Sequence, residues 1–370
     1  MSIGLRIGKG KQMLHRTLKL SLVLCCAMIS AGQGTAQTTS SMSAEPEVRG
    51  IYNWIHSPAH GELTFPFYRD MLDIKLVRSP FAGSPPADAP APQIRPVSEA
   101  VSDPLIWHLT DSEGSRFRNV FMHSANVDYG LELSEFFDIP RNERAVSPYD
   151  PGASRIIFHV RDLDEVVSRM QLVNTPVVTL GEQIIDTPLG RSILLRDPDG
   201  YLLQLFQASP AAITQANSPE QVIAIDIGLT VADTARSLRF YRDLLGFEVL
   251  GSREGSTADL RLNGLEGGSL RQTTTVIPGT EVRVILDEFA VPSDIMPAPR
   301  PMQWTIQDVG SPQFQLQVTN LDTLIRQTQE AGYDFLSWDA EPIQRNFGRF
   351  VFAKDPDGIL VEYVEPRIQP

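Results

Sequence analysis

Apolar and polar positions along this chain switch between two periods, and the switch recurs. Residues 222–231 alternate as a strand does, with every second side chain apolar. Asp233 then stands where a helix N-cap belongs, and Ala235, Leu238, Tyr241 and Leu245 share one helical face. Gly246 sits where that helix should stop, and residues 247–250 resume as a strand. The segments starting at Arg155 and Gln313 predict the same order, with caps at Asp162 and Asn320. Asp-Pro-Asp-Gly at 197–200 and 355–358 reads as a tight turn, Pro presetting φ and Gly supplying a positive one. Each turn feeds an apolar run, 201–206 and 359–364, expected to be a closing strand. The first unit departs from the pattern: three extra residues precede its helix, and Pro66 stands near the start.

These signals are an internal repeat. Residues 155–164 align without a gap on 313–322, and Asp-Pro-Asp-Gly begins 37 residues after Val160 and after Val318. Gly190-Arg191 and Gly348-Arg349 precede the turns at one offset, and Phe-Tyr-Arg-Asp occurs at 67–70 and 240–243. Tyr68 to Val160 spans 92 residues but Tyr241 to Val318 only 77; the Pro-rich stretch 79–100 absorbs the difference as an extended surface loop. Four related units follow, which in chain order give one domain over 48–208, a linker over 209–221 and a second domain over 222–370.

The chain opens differently. Arg6, Lys9, Lys11, Arg16 and Lys19 precede an apolar run, 20–29, and small residues ending at Ala36, the layout of a secretory signal. The run is too short to span a bilayer as a helix, and no longer one follows. Cleavage after Ala36 would leave a flexible start over 37–47 and remove both cysteines. It would take five cations and no acid from the net charge of −13, leaving −18. Met13 is an alternative start. An acidic chain of this kind is not built to neutralise nucleic-acid phosphates. The expectation is an exported, periplasmic or secreted protein with no membrane anchor after cleavage and a small-molecule ligand.

The opening Leu229-Thr-Val-Ala-Asp233, with the run Phe240 to Val249, resembles a vicinal-oxygen-chelate (VOC) module. That superfamily holds glyoxalase I, bleomycin- and fosfomycin-resistance proteins and extradiol dioxygenases. Lys354 to Glu362 is similar to its closing hairpin. The resemblance implies an α+β fold: four βαβββ modules paired into two domains whose curved mixed sheets form cups. A monomer could complete both cups.

In the family, the first residue of each opening strand and a Glu of each closing strand hold a metal, usually through His and Glu. The matching opening positions here are Gly50, Arg155, Asp226 and Gln313; the closing ones are Glu132, Gln204, Ile285 and Glu362. Arg155 cannot donate a lone pair, so the first domain is expected to lack a metal. Glu132, Arg155, His159 and Gln204 could instead converge there on an anionic or hydrogen-bonding ligand; a structural pairing of Arg155 with Glu132 is the alternative. His56, His60, His108 and His123 show no ligand spacing and are expected on the surface or in loops.

The second domain offers Asp226, Gln313 and Glu362, hard oxygen donors suited to Mg²⁺, Mn²⁺ or Ca²⁺, with Gln315 on a polar stripe beside them. No histidine follows His159, so the two-His-one-carboxylate set of an oxygen-activating iron centre is missing there and extradiol cleavage is disfavoured. Two readings stay open. One is a ligand-binding protein with a degenerate metal site. The other is a metal-dependent lyase or isomerase in which Glu362 shuttles a proton. A structural or interaction role is the third.

Overall fold

A computed structural model describes residues 45–77, 99–292 and 300–367. The expected signal segment, residues 37–44 and residues 79–98 of the Pro-rich stretch lie outside the described residues. The first unit runs β1 (Glu47–His56), α1 (Gly61–Leu72), β2 (Lys75–Val77), α2 (Pro104–Thr110), β3 (Arg116–His123) and β4 (Gly130–Phe137). The second has β5 (Ser154–Val160), α3 (Leu163–Leu172), β6 (Ile185–Thr187), β7 (Gly190–Arg196) and β8 (Leu202–Gln207). A short helix, α4 (Pro210–Gln215), lies in the linker. The third unit comprises β9 (Val222–Thr230), α5 (Thr234–Leu238), β10 (Glu248–Glu254), α6 (Thr257–Leu262), β11 (Ser269–Val276) and β12 (Arg283–Ala290). The fourth comprises β13 (Pro312–Thr319), α7 (Leu321–Glu330), β14 (Ile343–Arg345), β15 (Gly348–Lys354) and β16 (Leu360–Pro366).

The units form two eight-stranded mixed sheets, but not in consecutive pairs. One sheet has the order β14-β15-β16-β13-β1-β4-β3-β2, joining the first unit to the fourth; the other has β10-β11-β12-β9-β5-β8-β7-β6, joining the second to the third. The seams are antiparallel, from Glu47↔Thr319 to His56↔Pro312 and from Ser154↔Leu229 to Val160↔Val222. The division into 48–208 and 222–370 therefore does not describe the cups. They belong to the outer units (the outer sheet) and the inner units (the inner sheet).

What fastens consecutive units is the repeated motif pair. Tyr68 Oη donates to Asp197 Oδ2 at 3.1 Å, and Tyr241 Oη to Asp355 Oδ2 at 2.8 Å. Each first Asp of a turn also accepts two amide N–H groups of its own turn. One continuous core joins the backs of both sheets, with Trp54 and Phe314 from one and Phe158 and Ile227 from the other. Helix residues Tyr68, Met170, Phe240 and Leu324 fill the same core.

Local details follow the expected chemistry with exceptions. Asp162 and Asp233 cap their helices through Glu165 and Arg236 N–H groups. Asn320 does not cap: it is left-handed, and Glu365 accepts the Leu321 N–H instead. The third unit's helix widens to i→i+5 bonding over Arg239–Leu244 before Gly246 (φ +73°) ends it. Pro66 sits inside α1, whose helix nevertheless runs unbroken for three turns. Among the described residues no helix is long and apolar enough to cross a membrane.

Candidate functional site

The outer sheet brings four oxygen-bearing side chains to the floor of its cup. β1 and β13 are register partners at Asn53↔Gln315, β13 and β16 at Gln315↔Glu362, and β1 and β4 at Ile55↔Glu132. Asn53 Nδ2 donates to Gln315 Oε1 at 2.7 Å and to Glu132 Oε2 at 3.4 Å. Gln315 Nε2 donates to Glu362 Oε2 at 2.7 Å. Glu132 is held further by Asn119 Nδ2 (2.7 Å) and the Ser134 hydroxyl (3.2 Å). All four floor residues are buried.

Burial pushes the Glu132 carboxyl up to about 8, with repulsion from Glu362 adding to it, and burial lifts Glu362 to about 8 as well. Among the described residues no Lys, Arg or His pairs with either carboxylate. Above the floor opens a cavity of about 660 Å³ walled largely by phenylalanines and the aliphatic side chains of α2.

Helix α2 is clamped over this cavity by the fourth unit. Its N-cap Asp103 accepts the Leu105 N–H at 2.9 Å and pairs with Arg345 at 2.6 Å. Beyond its other end, Asp111 accepts from the Trp338 indole N–H at 2.6 Å. Burial acts upward on the Asp103 carboxyl, but Arg345 and the helix amides outweigh it and hold it below its ordinary range.

The inner cup has a different floor. Arg155 donates to Gln204 Oε1 at 2.7 Å and pairs with Asp287 at 2.5 Å, both ions being buried. Gln272 Nε2 donates to the other Asp287 oxygen at 2.8 Å. Opposite Arg155 on β9 is Gly228, where a Cβ would come within 2.6 Å of the guanidinium carbon; the missing side chain is the room the arginine occupies. The guanidinium is thus a fixed cation built into the floor.

The residues singled out in the sequence divide between the cups. Glu132, Gln315 and Glu362 come together in the outer one. Gln313 faces the same cup but donates to Ser57 Oγ at 3.2 Å. Asp226 is in the inner sheet, held by His159 Nε2 at 2.7 Å and Arg283 at 2.5 Å, so Asp226, Gln313 and Glu362 do not form one metal set. Burial acts upward on Asp226, but His159 and Arg283 prevail and lower its pKa. Arg155 and Gln204 meet each other but not Glu132, which separates the expected anion-binding group.

His56 is not a surface residue: it is buried, stacked on Tyr201 at 4.3 Å, and burial lowers its pKa to about 4. Two floor residues were missed. Asn53, not Gly50, belongs to the floor, and one of the two register irregularities of β1 lies between them, shifting the aligned position. The strand's core residues Val48, Ile51 and Trp54 are spaced by three, a legible sign of those bulges. Asp287, two residues beyond Ile285, supplies the inner cup's carboxylate.

A family model described as the Glyoxalase/Bleomycin resistance protein/Dioxygenase superfamily matches residues 224–363. These residues, the third and fourth units, are similar to the VOC superfamily. The chain's resemblance extends to a probable chloroplastic lactoylglutathione lyase of Arabidopsis thaliana, 22% identical over 245 residues. That match covers 65% of this chain and 57% of the relative, so the chain spans under two thirds of the relative's length. Glyoxalase I from Zea mays shares the fold at a TM-score of 0.51 and 16% identity, covering 86% of this chain and 93% of its own. A putative dioxygenase from Bacillus subtilis does so at 0.53 and 12%, covering 87% and 86%.

VOC relatives typically use a divalent metal. Among the described residues no three His, Cys, Asp or Glu side chains cluster to hold one. The outer floor nonetheless fits a hard cation: two carboxylates lack a counter-ion among the described residues, two amides flank them, and the neighbouring Asn119 Oδ1 is buried without a partner.

Proposed function

We propose that this protein is a divalent-metal-dependent lyase or isomerase acting on a small organic molecule in the cup of the outer sheet. The observation that carries it is the buried quartet Asn53, Glu132, Gln315 and Glu362, which includes two acids that no cation among the described residues pairs with. Bound by these four side chains, a divalent cation would polarise a substrate oxygen and ease loss of a neighbouring proton.

Glu132 accepts three hydrogen bonds and is the fixed member. Glu362 accepts one, from Gln315, and its carboxyl is poised near neutrality, so it is the group to take and return the proton. The walls around the two acids are largely apolar. The inner cup, whose floor already holds Arg155, is a structural partner.

Metal analysis and calorimetric titration with Mg²⁺, Mn²⁺, Ni²⁺ and Zn²⁺ test this. One ion per chain is expected, lost in Glu132→Gln and Glu362→Gln. Turnover of a 2-oxoaldehyde–thiol adduct should disappear with it. Binding unaffected by both changes would defeat the proposal.

A second reading, metal-free ligand binding, is favoured by one observation: the amides already hydrogen-bond to each other and to both carboxyls. It requires ligand binding unchanged by chelators. Export, which rests on the layout of residues 1–36, is tested by N-terminal sequencing of the extracytoplasmic protein, expected to begin at Gln37.

A further inference from the structure

We infer that the outer cup takes an uncharged, ring-bearing molecule and turns away dianionic ligands of the same size. This rests on the reading that the outer cup is the binding site, but not on metal being bound there.

Three observations converge. First, the charged residues lining the cavity are Asp103, Glu132, Glu362 and Arg345. Arg345 is engaged by Asp103, and the other two are acids, so among the described lining residues no uncommitted cation awaits a ligand's carboxylate. A divalent ion on the floor would at most cancel the two glutamates. Both charges of a dianion would then lie in the cup without a partner, at a cost that disfavours them.

Second, the walls are aromatic, with Phe117, Phe121, Phe136, Phe347, Phe350 and Phe352 around one space. Phe347 and Phe350 already meet edge to face at 5.1 Å and 80°, a geometry that a further ring extends favourably. Third, a volume of about 660 Å³ admits a molecule of several rings rather than a two- or three-carbon metabolite alone.

The test is a fluorescence titration of the full chain with the neutral probe N-phenyl-1-naphthylamine, in chelator and again with Mn²⁺. Saturable binding at one site is expected in both. A matched pair then competes: 2,6-naphthalenediol should displace the probe, and 2,6-naphthalenedicarboxylate should do so at least 100-fold less well. Ile106→Lys on α2 and Phe121→Lys on β3 each place a cation in the wall. Either should weaken the probe at least tenfold and narrow the gap between diol and dicarboxylate. Leu63→Lys, in the exposed groove beside α1, should change nothing.

Equal competition by diol and dicarboxylate, or probe binding insensitive to both wall variants, overturns the inference. Absence of metal binding would overturn the lyase reading while leaving this one standing.

Discussion

Glu132 and Glu362 share one buried floor, and burial raises the pKa of both. Their folded-state pKa values lie above those of an exposed glutamate. Their contribution to stability is therefore full below about pH 4.5 and is lost as pH rises through about 8. Metal-free protein should lose stability across that window, on the order of a few kcal/mol. Glu362→Gln should flatten the profile, as read from thermal unfolding between pH 5 and 9.

Gln315→His exchanges an amide oxygen for an imidazole nitrogen on the same floor. It should tighten Ni²⁺ or Zn²⁺ at least tenfold by calorimetry. At this scale much of the site was legible. Glu132 and Glu362 stand at closing-strand positions that the family resemblance implies, and Gln315 lies on the polar stripe of its strand. Asn53 was hidden because a register irregularity of β1 between Gly50 and Asn53 shifts the aligned position.

The elements repay their repeats in an unexpected place. Asp197 and Asp355 looked like turn formers and are, yet each is also the socket for a tyrosine from the preceding unit's helix. The pairing of a Phe-Tyr-Arg-Asp motif with a turn over a hundred residues away is invisible to local pattern, which reports the period of an element and not its neighbour. Tyr241→Phe removes a donor from a buried carboxylate and should cost about 1–3 kcal/mol in denaturant unfolding. Tyr68→Phe should do the same at the other joint.

The inner sheet's Arg155 works the same way with charge. Arg155→Met strands Asp287 in a buried position and should cost about 3–5 kcal/mol, whereas Arg155→Met with Asp287→Leu should recover most of it. Metal stoichiometry should stay unchanged in both variants. The forbidden donor at position 155 was readable from its chemistry; its partner was not, because Asp287 lies on a strand of a different unit.

On the scale of the molecule, the sequence reveals four units and their order but not which share a sheet. The alternating pattern of β5 and β13 does not by itself tell which of them pairs with β1; the structure pairs β1 with β13. The choice of β13 places Glu132 and Glu362 in one cup and Arg155 and Asp287 in the other. The contrast between the floors follows from that choice: one holds two acids that no cation among the described residues pairs with, the other a balanced ion pair. One metal ion per chain, not two, is the corresponding expectation for mass spectrometry under native conditions.

The units close on one another like nested brackets, the middle pair inside the outer pair. During synthesis, the inner sheet has all its strands once residue 290 has left the ribosome. The outer sheet must wait for β16, which ends at Pro366. The acids of the outer cup thus meet last, so a chain cut short before β16 carries a complete inner sheet and an empty-handed Glu132.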